Sequence, residues 1–125
     1  MQDWKTPVPQ KAWAQYHYFR VNNEANFYHM TVGPYAAGNI PDDLSYSANR
    51  YFYTPDRPDQ SNCAKFLNSG WWFNYCAYAN PNGVYYQNGP YNPNYYNYYD
   101  GIYWKDWAGF GYSMKYFSLT LYYSY

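Results

Sequence analysis

Residues 61–76 read Ser-Asn-Cys-Ala-Lys-Phe-Leu-Asn-Ser-Gly-Trp-Trp-Phe-Asn-Tyr-Cys and contain the two cysteines of the chain, Cys63 and Cys76. Cysteines thirteen positions apart can close a small disulfide loop, which would stabilise the fold by about 3 kcal/mol. The spacing alone leaves a second interpretation open, a pair of buried free thiols in a cytosolic protein. Trp71 and Trp72 are adjacent, so on extended backbone their side chains point to opposite faces. We expect one of them to anchor the core and the other to pack beneath a loop.

The composition restricts the classes of protein to which the chain can belong. Its 125 residues suffice for one domain with a modest core. Eight basic and eight acidic residues give a formal net charge of zero and form no run, so the electrostatic footprint of a nucleic-acid-binding protein is missing. No apolar run in the sequence approaches the roughly 20 residues of a transmembrane helix. We therefore expect neither a nucleic-acid partner nor a membrane span.

Tyrosine is unusually frequent, with 22 tyrosines among 125 residues. Because Ile, Leu and Val are scarce, tyrosine has to supply much of the core as well as the surface. Buried tyrosines need partners for their hydroxyl groups, so we expect a hydrogen-bonded interior. Exposed tyrosines offer rigid amphipathic contact area, as in antibody paratopes. The composition also fits a tyrosine-rich matrix or adhesive protein that is cross-linked through its phenols.

Periodicity predicts a small α+β domain dominated by sheet and long loops. Residues 14–21 alternate as a strand does, and residues 27–32 form the returning strand of a hairpin that Gly33-Pro34 ends. The other predicted elements are, in chain order, the start of a short helix at 41–44, a turn-rich stretch at 53–62, a long surface loop at 80–101 and a terminal strand at 117–123 that returns to the central sheet.

The residues on both sides of the cysteine pair carry a family resemblance. The ordered elements are Trp13-Ala14-Gln15-Tyr16, Tyr28-His29-Met30-Thr31-Val32-Gly33-Pro34-Tyr35, Asp42-Asp43-Leu44, Phe52-Tyr53-Thr54-Pro55-Asp56-Arg57, Asn80-Pro81-Asn82-Gly83, Gly101-Ile102-Tyr103-Trp104 and Tyr112-Ser113-Met114-Lys115. In this order they resemble the C-terminal globular domain of fibrinogen chains, ficolins, tachylectins and angiopoietins. The resemblance implies an α+β fold with a small antiparallel sheet, few short helices and long ordered loops. It implies that the two cysteines are bonded to each other, and that the low-complexity stretch at 85–99 is an ordered loop rather than a disordered tract.

The resemblance also sets the expected organisation of the domain. Family members carry a further N-terminal subdomain with its own disulfide before the point where this chain begins. We therefore expect residues 1–125 to form a single fibrinogen-like domain that lacks this subdomain. Within it we expect a central sheet part at 1–52, a loop-rich part with the calcium loop and ligand pocket at 53–112, and a terminal strand at 113–125.

Calcium is the cofactor that the resemblance suggests. Related domains hold one ion in an aspartate-rich loop just before the first cysteine of the pair, where carboxylates, carbonyls and waters supply about six to eight oxygens. The corresponding loop of this chain is shortened, and only Asp56 and Asp59 remain as side-chain ligands. Arg57 stands between them as a competitor for the carboxylates. The alternative is a turn that is held by its aspartate side chains without an ion.

A ligand pocket is expected beside the second cysteine. In ficolin- and tachylectin-like members, acetylated sugars or amines bind there against aromatic side chains of the following loop, and the preceding peptide is often cis, here Tyr75–Cys76. Ala77 stands where histidine is common in sugar-binding members, and Tyr99 has the bulk to fill the acetyl slot. An alternative is that the aromatic side chains only pack. Carried over by position, the pocket residues are Cys76, Ala77, Asn82, Tyr98, Tyr99 and Phe110.

An enzymatic function finds little support in the sequence. His17 and His29 lie on predicted strands, and Asp42-Asp43 is expected to cap the short helix rather than to form a catalytic pair. Neither a phosphate-binding glycine loop nor a zinc spacing is present. We therefore expect a protein that is not an enzyme.

The leading hypothesis is a secreted, non-catalytic recognition module, lectin-like, that binds acetylated or other carbohydrate groups in innate immune recognition. Useful avidity would come from a homo-oligomer. The main alternative is a protein-binding module of the angiopoietin or fibrinogen type, which Ala77 and Tyr99 favour. A tyrosine-rich structural protein is the third hypothesis. The expected partner is thus a glycan or another acetylated ligand, or an extracellular protein.

Overall fold

Short elements joined by long loops make up the chain in the computed structural model, which describes residues 1–122. The elements are, in chain order, β1 (Ala14–Tyr16), β2 (Phe19–Val21), a first 3₁₀ helix (Glu24–Asn26), β3 (Met30–Val32), β4 (Tyr35–Gly38), a second 3₁₀ helix (Ser45–Ser47), α1 (Cys63–Phe66) and α2 (Lys105–Ala108). This agrees with the predicted α+β class, a small antiparallel sheet with few short helices. The division into three parts along the chain stays a prediction.

The four strands form one antiparallel hairpin that is interrupted in its middle. β2 pairs with β3, and β1 pairs with β4. Between the two pairs, the Gly33 N–H donates to the Tyr18 carbonyl (2.8 Å) and the His17 N–H to the Pro34 carbonyl (3.1 Å). The predicted hairpin is confirmed, but the continuous strand at 14–21, the start of the returning strand at residue 27 and its end at Gly33-Pro34 are wrong, because the returning strand starts at Met30 and pairing resumes after Pro34. Pro34 has no N–H to donate, so the ladder breaks there and resumes in β4.

The tip of the hairpin is tied to the core through its backbone carbonyls. After the first 3₁₀ helix, Phe27 and Tyr28 follow with φ angles of 53° and 55°. The Phe27 carbonyl accepts from the Phe52 N–H at 3.0 Å, and the Tyr28 carbonyl accepts from Trp72 Nε1 at 2.8 Å. Bulky L-residues rarely adopt such positive φ angles, so these two bonds help to hold the backbone in place. The tip is therefore tied to the core by hydrogen bonds, although its own side chains are exposed.

Trp71 and Trp72 both belong to a single core. They are 1% and 8% exposed, and their ring centroids lie 4.9 Å apart. Trp72 packs edge-on against Phe19 and Phe52, beneath the hairpin tip. Trp71 exchanges two backbone hydrogen bonds, of 2.9 and 3.0 Å, with Tyr53. Both rings belong to the core cluster, and Trp72 lies beneath the loop at the hairpin tip while Trp71 is the more deeply buried, which agrees with the expected roles.

A disulfide joins Cys63 and Cys76, whose Cα atoms lie 5.3 Å apart. The interpretation as free thiols is therefore wrong. Cys63 is the first residue of α1, where Asp59 Oδ1 accepts from the Ala64 N–H at 3.0 Å. The bridge thus fixes α1 to the segment that follows the tryptophan pair.

The second 3₁₀ helix occupies the place of the predicted short helix. It begins at Ser45, a few residues later than expected, and residues 41–43 before it have no regular secondary structure. Asp42 Oδ1 accepts from the backbone N–H groups of Leu44 and Ser45, both at 3.0 Å. A carboxylate in this position satisfies donors that have no partner at the start of a helix, as the sequence predicts for Asp42.

The long loop at 80–101 is ordered, as predicted, and is anchored at Asp100. This residue is 2% exposed. Its Oδ1 accepts from the Tyr86 hydroxyl at 2.7 Å, and its Oδ2 accepts from the side-chain amides of Asn68 (3.0 Å) and Asn94 (3.2 Å). Since Asn68 lies just after α1, the loop is held against that helix.

The alternating residues near the C-terminus do not form the predicted strand in the part that the structure describes. Residues 117–122 have no regular secondary structure, and Leu119 and Leu121 are 52% and 61% exposed. The segment before them makes only an isolated bridge, between Tyr116 and Gln2. Alternation specifies a strand where a neighbouring strand offers backbone partners, and the described residues offer none beside 117–122. Residue 123 of the predicted strand lies outside the described residues.

Replacing both cysteines by serine is expected to lower the free energy of unfolding by about 3 kcal/mol, because the closed loop restricts the unfolded chain. The measurement is urea unfolding followed by tryptophan fluorescence. Wild type in a reducing agent is the matched control and should give the same value as the variant. A loss well under about 1 kcal/mol in both samples contradicts this role of the bridge.

Candidate functional site

A cavity of about 470 Å³ opens between the disulfide and the tyrosine-rich loop. The structure brings five of the six residues predicted for the ligand site into its lining, namely Cys76, Ala77, Tyr98, Tyr99 and Phe110. Asn82 is the exception, because its Nδ2 donates to the Gly70 carbonyl at 2.9 Å and its side chain is not part of the lining. That these residues bind a ligand stays a prediction.

Tyr99 lines the cavity without closing it. Its ring meets Tyr91 edge-on at 5.8 Å between centroids and is 38% exposed. Gly111 leaves room for the ring, since a Cβ there would lie 3.2 Å from Tyr99 Cε1. Because its ring lies beside Tyr91 and Gly111, Tyr99 leaves the space between Cys76 and Phe110 open.

The floor of the cavity is formed by Tyr103 and Phe110, whose rings meet edge-on at 5.0 Å between centroids. Tyr103 is 2% exposed, and its hydroxyl donates to the Ala77 carbonyl at 3.0 Å. Burial raises the pKa of Tyr103 well above its ordinary value. The hydroxyl therefore keeps its proton at neutral pH, and the floor carries no charge.

A stacked pair of tyrosines that the sequence analysis missed also lines the cavity. The rings of Tyr46 and Tyr78 lie 3.9 Å apart with 16° between their planes. Tyr78 is close to Cys76 in sequence, which is a signal that could have found it. Tyr46 lies on the second 3₁₀ helix, and nothing in the sequence distinguishes it from the other tyrosines.

The peptide bond between Tyr75 and Cys76 is cis, as the resemblance predicts. Tyr75 is 75% exposed at the mouth of the cavity. Next to it, Asn74 Nδ2 donates to the Tyr46 carbonyl at 2.8 Å. This bond ties the segment before the second cysteine to the second 3₁₀ helix, so two separate chain segments frame the mouth.

Residues 94–98, which we call the Asn94 turn, fix the wall of the cavity. Asn94 Oδ1 accepts from the backbone N–H groups of Tyr96 (3.0 Å) and Tyr98 (3.1 Å). The Asn94 side-chain amide donates to the Phe66 carbonyl at the end of α1 (2.6 Å). The Tyr98 ring stacks on the Phe66 ring, with centroids 4.9 Å apart and 21° between the planes. The wall is therefore attached to the helix that the disulfide holds.

The cavity is lined by neutral side chains throughout. Among the described residues, its lining contains no Asp, Glu, Lys, Arg or His. The polar groups are hydroxyls of tyrosine and serine, one asparagine amide and the backbone. A charged ligand would lose its hydration there without gaining a counter-charge. The cavity therefore suits a neutral ligand with apolar surface and a few hydrogen-bonding groups.

The loop predicted to bind calcium is a tight turn whose carboxylates are partly occupied. Asp56 Oδ1 accepts from a threonine hydroxyl at 2.6 Å, and Asp59 Oδ1 accepts from a first-turn N–H of α1. Arg57 lies over the Phe27 ring, 3.9 Å from its centroid, so its packing gives no sign of the expected competition. One oxygen of each carboxylate remains, and in the described chain no group of three acidic, His or Cys side chains converges. Two free carboxylate oxygens are few for an ion that takes about six to eight oxygen ligands, and calcium binding by this loop stays a prediction.

Asp43 does not share the capping role of Asp42, contrary to expectation. It is fully buried, its Oδ2 accepts from the Asp106 N–H at the start of α2 (2.7 Å), and its Oδ1 has no hydrogen-bond partner. Burial and the adjacent Asp106 carboxyl group raise the pKa of Asp43 to about 7, although Lys105 opposes this shift. Asp43 therefore joins α2 to the segment before the second 3₁₀ helix. Both elements lead to residues of the cavity lining, Tyr46 and Phe110.

The two histidines are not in the cavity lining. His17 is exposed, and the His29 ring packs edge-on against Tyr51 at 5.5 Å between centroids. They therefore give the cavity neither a general base nor a metal ligand.

Comparisons with known proteins connect these features to one family. Residues 1–123 match the family described as fibrinogen beta and gamma chains, C-terminal globular domain. Human fibrinogen-like protein 1 is 41% identical over 116 residues, which are 82% of this chain and 36% of that protein. Angiopoietin-related protein 7 of Bos taurus is 36% identical over 118 residues, which are 92% of this chain and 32% of that protein. The chain thus spans about a third of the length of these relatives.

Solved structures show the same fold. The fibrinogen-like globe domain of human ANGPTL2 superposes with a TM-score of 0.83 at 37% identity, covering 92% of this chain and 51% of that one. Lamprey fibrin D-dimer, complexed with the peptide ligand Gly-His-Arg-Pro-amide, gives a TM-score of 0.77 at 28% identity, covering 83% of this chain and 38% of that one. In the described residues, no helix is both long and apolar enough to cross a membrane.

Asp43 is expected to make the stability of the protein depend on pH. Its pKa rises from 3.8 to about 7 on folding, so the folded state binds the proton more tightly than the unfolded state. The stability that this proton contributes is complete below pH 3.8 and is lost as pH rises through about 7. The free energy of unfolding of wild type minus that of Asp43→Asn should therefore fall by at least about 1.4 kcal/mol as the pH rises from 3.8 to about 7.

The measurement is urea unfolding of both proteins at several pH values on either side of this range. Asp106→Asn is a second variant, and it should reduce the fall because it removes the neighbouring carboxylate. A constant difference between wild type and Asp43→Asn at all pH values contradicts the assignment.

Proposed function

The chain belongs to the family of fibrinogen C-terminal globular domains, and on this basis we propose that it is a secreted, non-catalytic recognition module whose cavity binds acetylated carbohydrate groups. A disulfide is typical of proteins that work in an oxidising, extracellular environment. The observation that carries the ligand class is the neutral aromatic lining of the open cavity.

The chemistry of an acetamido sugar matches this lining. The acetyl methyl group needs a small apolar slot, for which Ala77 and Phe110, both in the lining, are the candidate walls. The apolar face of the sugar stacks on aromatic rings such as those of Tyr98 and Tyr99. Neither the sugar nor the lining carries a charge, so no buried charge is left without a partner. Single sites of this kind bind weakly, and a homo-oligomer would raise the avidity, as is expected of a protein of innate immune recognition.

Binding of an extracellular protein is the second candidate. It is favoured by the sequence relatives, which include angiopoietin-related proteins, and by the exposed side chain of Tyr75 at the cavity mouth. The lamprey fibrin structure contains a peptide with an amino terminus, a histidine and an arginine. A peptide of that charge would find no acidic side chain in the present lining, which is why we place the carbohydrate first.

N-acetylglucosamine is expected to bind with a Kd of about 1 mM, from about 0.3 kcal/mol per non-hydrogen atom. Glucose, which lacks the acetamido group, should bind markedly less tightly. The Tyr99→Ala variant should bind N-acetylglucosamine about 3- to 10-fold more weakly because one aromatic wall is lost. Isothermal titration calorimetry measures all three.

Tyr122→Ala is the matched control for this experiment, because Tyr122 is 90% exposed and not part of the lining. The carbohydrate proposal fails if N-acetylated sugars bind no better than glucose. The protein-binding candidate is supported instead if the protein captures a defined extracellular protein and neither free N-acetylglucosamine nor a chelator displaces that partner.

Calcium is proposed as a weak ligand of the loop that contains Asp56 and Asp59, with a Kd of about 10⁻⁴–10⁻³ M, as in extracellular modules. When bound, the ion would fix the conformation of this loop next to α1. The test is calorimetric titration with Ca²⁺. Asp56→Asn is the cleaner variant and should lose the binding, since Asp59 also caps α1. No heat of binding at a concentration of about 10 mM contradicts the proposal.

A further inference from the structure

Asp43 is a fully buried acid whose side chain is only partly satisfied. It is 0% exposed, its Oδ2 accepts from the Asp106 N–H at 2.7 Å, and its Oδ1 has no hydrogen-bond partner. An ionised carboxylate in such a place loses its hydration without gaining a full set of donors. An uncharged side chain would avoid this cost, so the acid is a candidate for a role other than packing.

A chain of contacts leads from Asp43 to the wall of the cavity and back. Asp43 holds the N–H of Asp106 in α2, and the preceding N–H, that of Lys105, donates to the Tyr78 carbonyl at 2.8 Å. Lys105 Nζ also lies over the Tyr78 ring, 4.3 Å from its centroid. Tyr78 stacks on Tyr46, which lies three residues after Asp43. Because both tyrosines line the cavity, the position of α2 and the shape of this wall depend on each other.

α2 is connected to the floor of the cavity as well. The helix ends at Ala108, and only Gly109 separates it from Phe110, which forms part of the floor. With so short a connection, a displacement of α2 also moves the Phe110 ring. The contact between Asp43 and α2 therefore bears on two sides of the cavity, although Asp43 itself is not in the lining.

Among the titratable groups around Asp43, the pair that it forms with Asp106 changes charge near neutral pH. Burial and the adjacent Asp106 carboxyl group raise the pKa of Asp43 to about 7. Tyr16 and Tyr103 interact with Asp43 electrostatically, and burial raises the pKa of both, so they stay protonated. Burial opposes the ionisation of Asp42, but the hydrogen bonds that it accepts outweigh this effect and lower its pKa. Asp42 therefore stays ionised at neutral pH.

The proton decides whether the two neighbouring acids attract or repel each other. With one proton on the pair, Asp43 and Asp106 can share a hydrogen bond. Without it, the buried carboxylate of Asp43 lies next to a second negative charge. The nearby cation is Lys105, and an ionised pair attracts its ammonium group away from the Tyr78 ring. Repulsion at Asp106 and attraction at Lys105 both act on the first turn of α2.

We propose that Asp43 is a positioning residue of the cavity: with its proton it holds α2 in place, and loss of the proton releases α2 and weakens ligand binding. The inference rests on the proposed function for the identity of the ligand, whereas the change in the cavity does not depend on it. The protein thus binds its ligand more tightly in mildly acidic than in mildly alkaline solution.

The test is calorimetric titration with N-acetylglucosamine at several pH values on either side of about 7. Wild type is expected to bind at least about 5-fold more tightly on the acidic side, which is the lower end of the coupling usual between linked sites. Asp43→Asn keeps the shape of the side chain but cannot ionise, so its affinity should not depend on pH. Asp106→Asn should move the midpoint to lower pH, because it removes the neighbouring carboxylate. Glu24→Gln, at an exposed acid of the hairpin tip, is the matched control and should keep the wild-type profile.

A second measurement uses no ligand. In proton–nitrogen correlation NMR spectra, the backbone amides of Tyr46, Tyr78 and Phe110 should shift together as the pH passes through about 7 in wild type. The same amides should not shift in Asp43→Asn. Tryptophan fluorescence checks that each protein is folded at every pH used, which separates a change in the cavity from unfolding.

The outcomes separate this inference from the proposed function. If the sugar binds equally at every pH, or with the same pH dependence in Asp43→Asn, the inference is overturned and the carbohydrate function stands. If the sugar binds at no pH, the proposed function is overturned, and the amides decide the inference: shifts that vanish in Asp43→Asn support it, and unchanged amides overturn it. If Asp43→Asn does not fold, a midpoint that Asp106→Asn leaves unmoved overturns the inference.

Discussion

The buried carboxylate of Asp100 is the constraint on which the second half of the structure depends. Its described partners are neutral donors, the Tyr86 hydroxyl and the side-chain amides of Asn68 and Asn94. A carboxylate taken out of water needs such donors, because each one that is missing leaves part of its desolvation uncompensated. The donors come from two segments, the residue that follows α1 and the long loop, which includes the Asn94 turn. The carboxylate therefore ties the loop to the helix next to the disulfide. The same network extends toward the cavity, because Tyr91 stacks on Tyr86 at 4.3 Å and donates its hydroxyl to a backbone carbonyl of the cavity floor.

Tyrosine takes the place of aliphatic residues in this fold by combining packing area with a hydrogen bond. The Tyr16 hydroxyl donates to Asp42 Oδ1 (2.6 Å), the Tyr35 hydroxyl to the Ile40 carbonyl (2.7 Å) and the Tyr103 hydroxyl to the Ala77 carbonyl (3.0 Å). Burial raises the pKa of Tyr16 and that of Tyr103, which keeps both groups protonated and able to donate. The composition that fits a cross-linked matrix protein is therefore also that of a folded domain whose tyrosines have individual structural roles.

Much of the fold follows from local sequence signals and from the order of the family motifs. The disulfide, the hairpin, the cis peptide at Cys76 and the neighbourhood of Tyr98 and Phe110 belong to this class. What could not be predicted depends on contacts between distant segments. Nothing near Asp43 in sequence reveals that it faces the start of α2, and Tyr46 reaches the cavity only because the second 3₁₀ helix packs there. The strand predicted from the alternating residues near the C-terminus does not form in residues 117–122. In the described chain no neighbouring strand offers backbone partners to this segment.

The hairpin tip has a consequence for the cooperativity of unfolding. Surface turns usually open locally at little cost, independently of the rest of the molecule. Here the carbonyls of Phe27 and Tyr28 hold Phe52 and the indole of Trp72, so lifting the tip also removes partners from the centre of the protein. The end of the hairpin and the aromatic core therefore form one cooperative unit, in which a change at an exposed turn reaches the buried indole of Trp72.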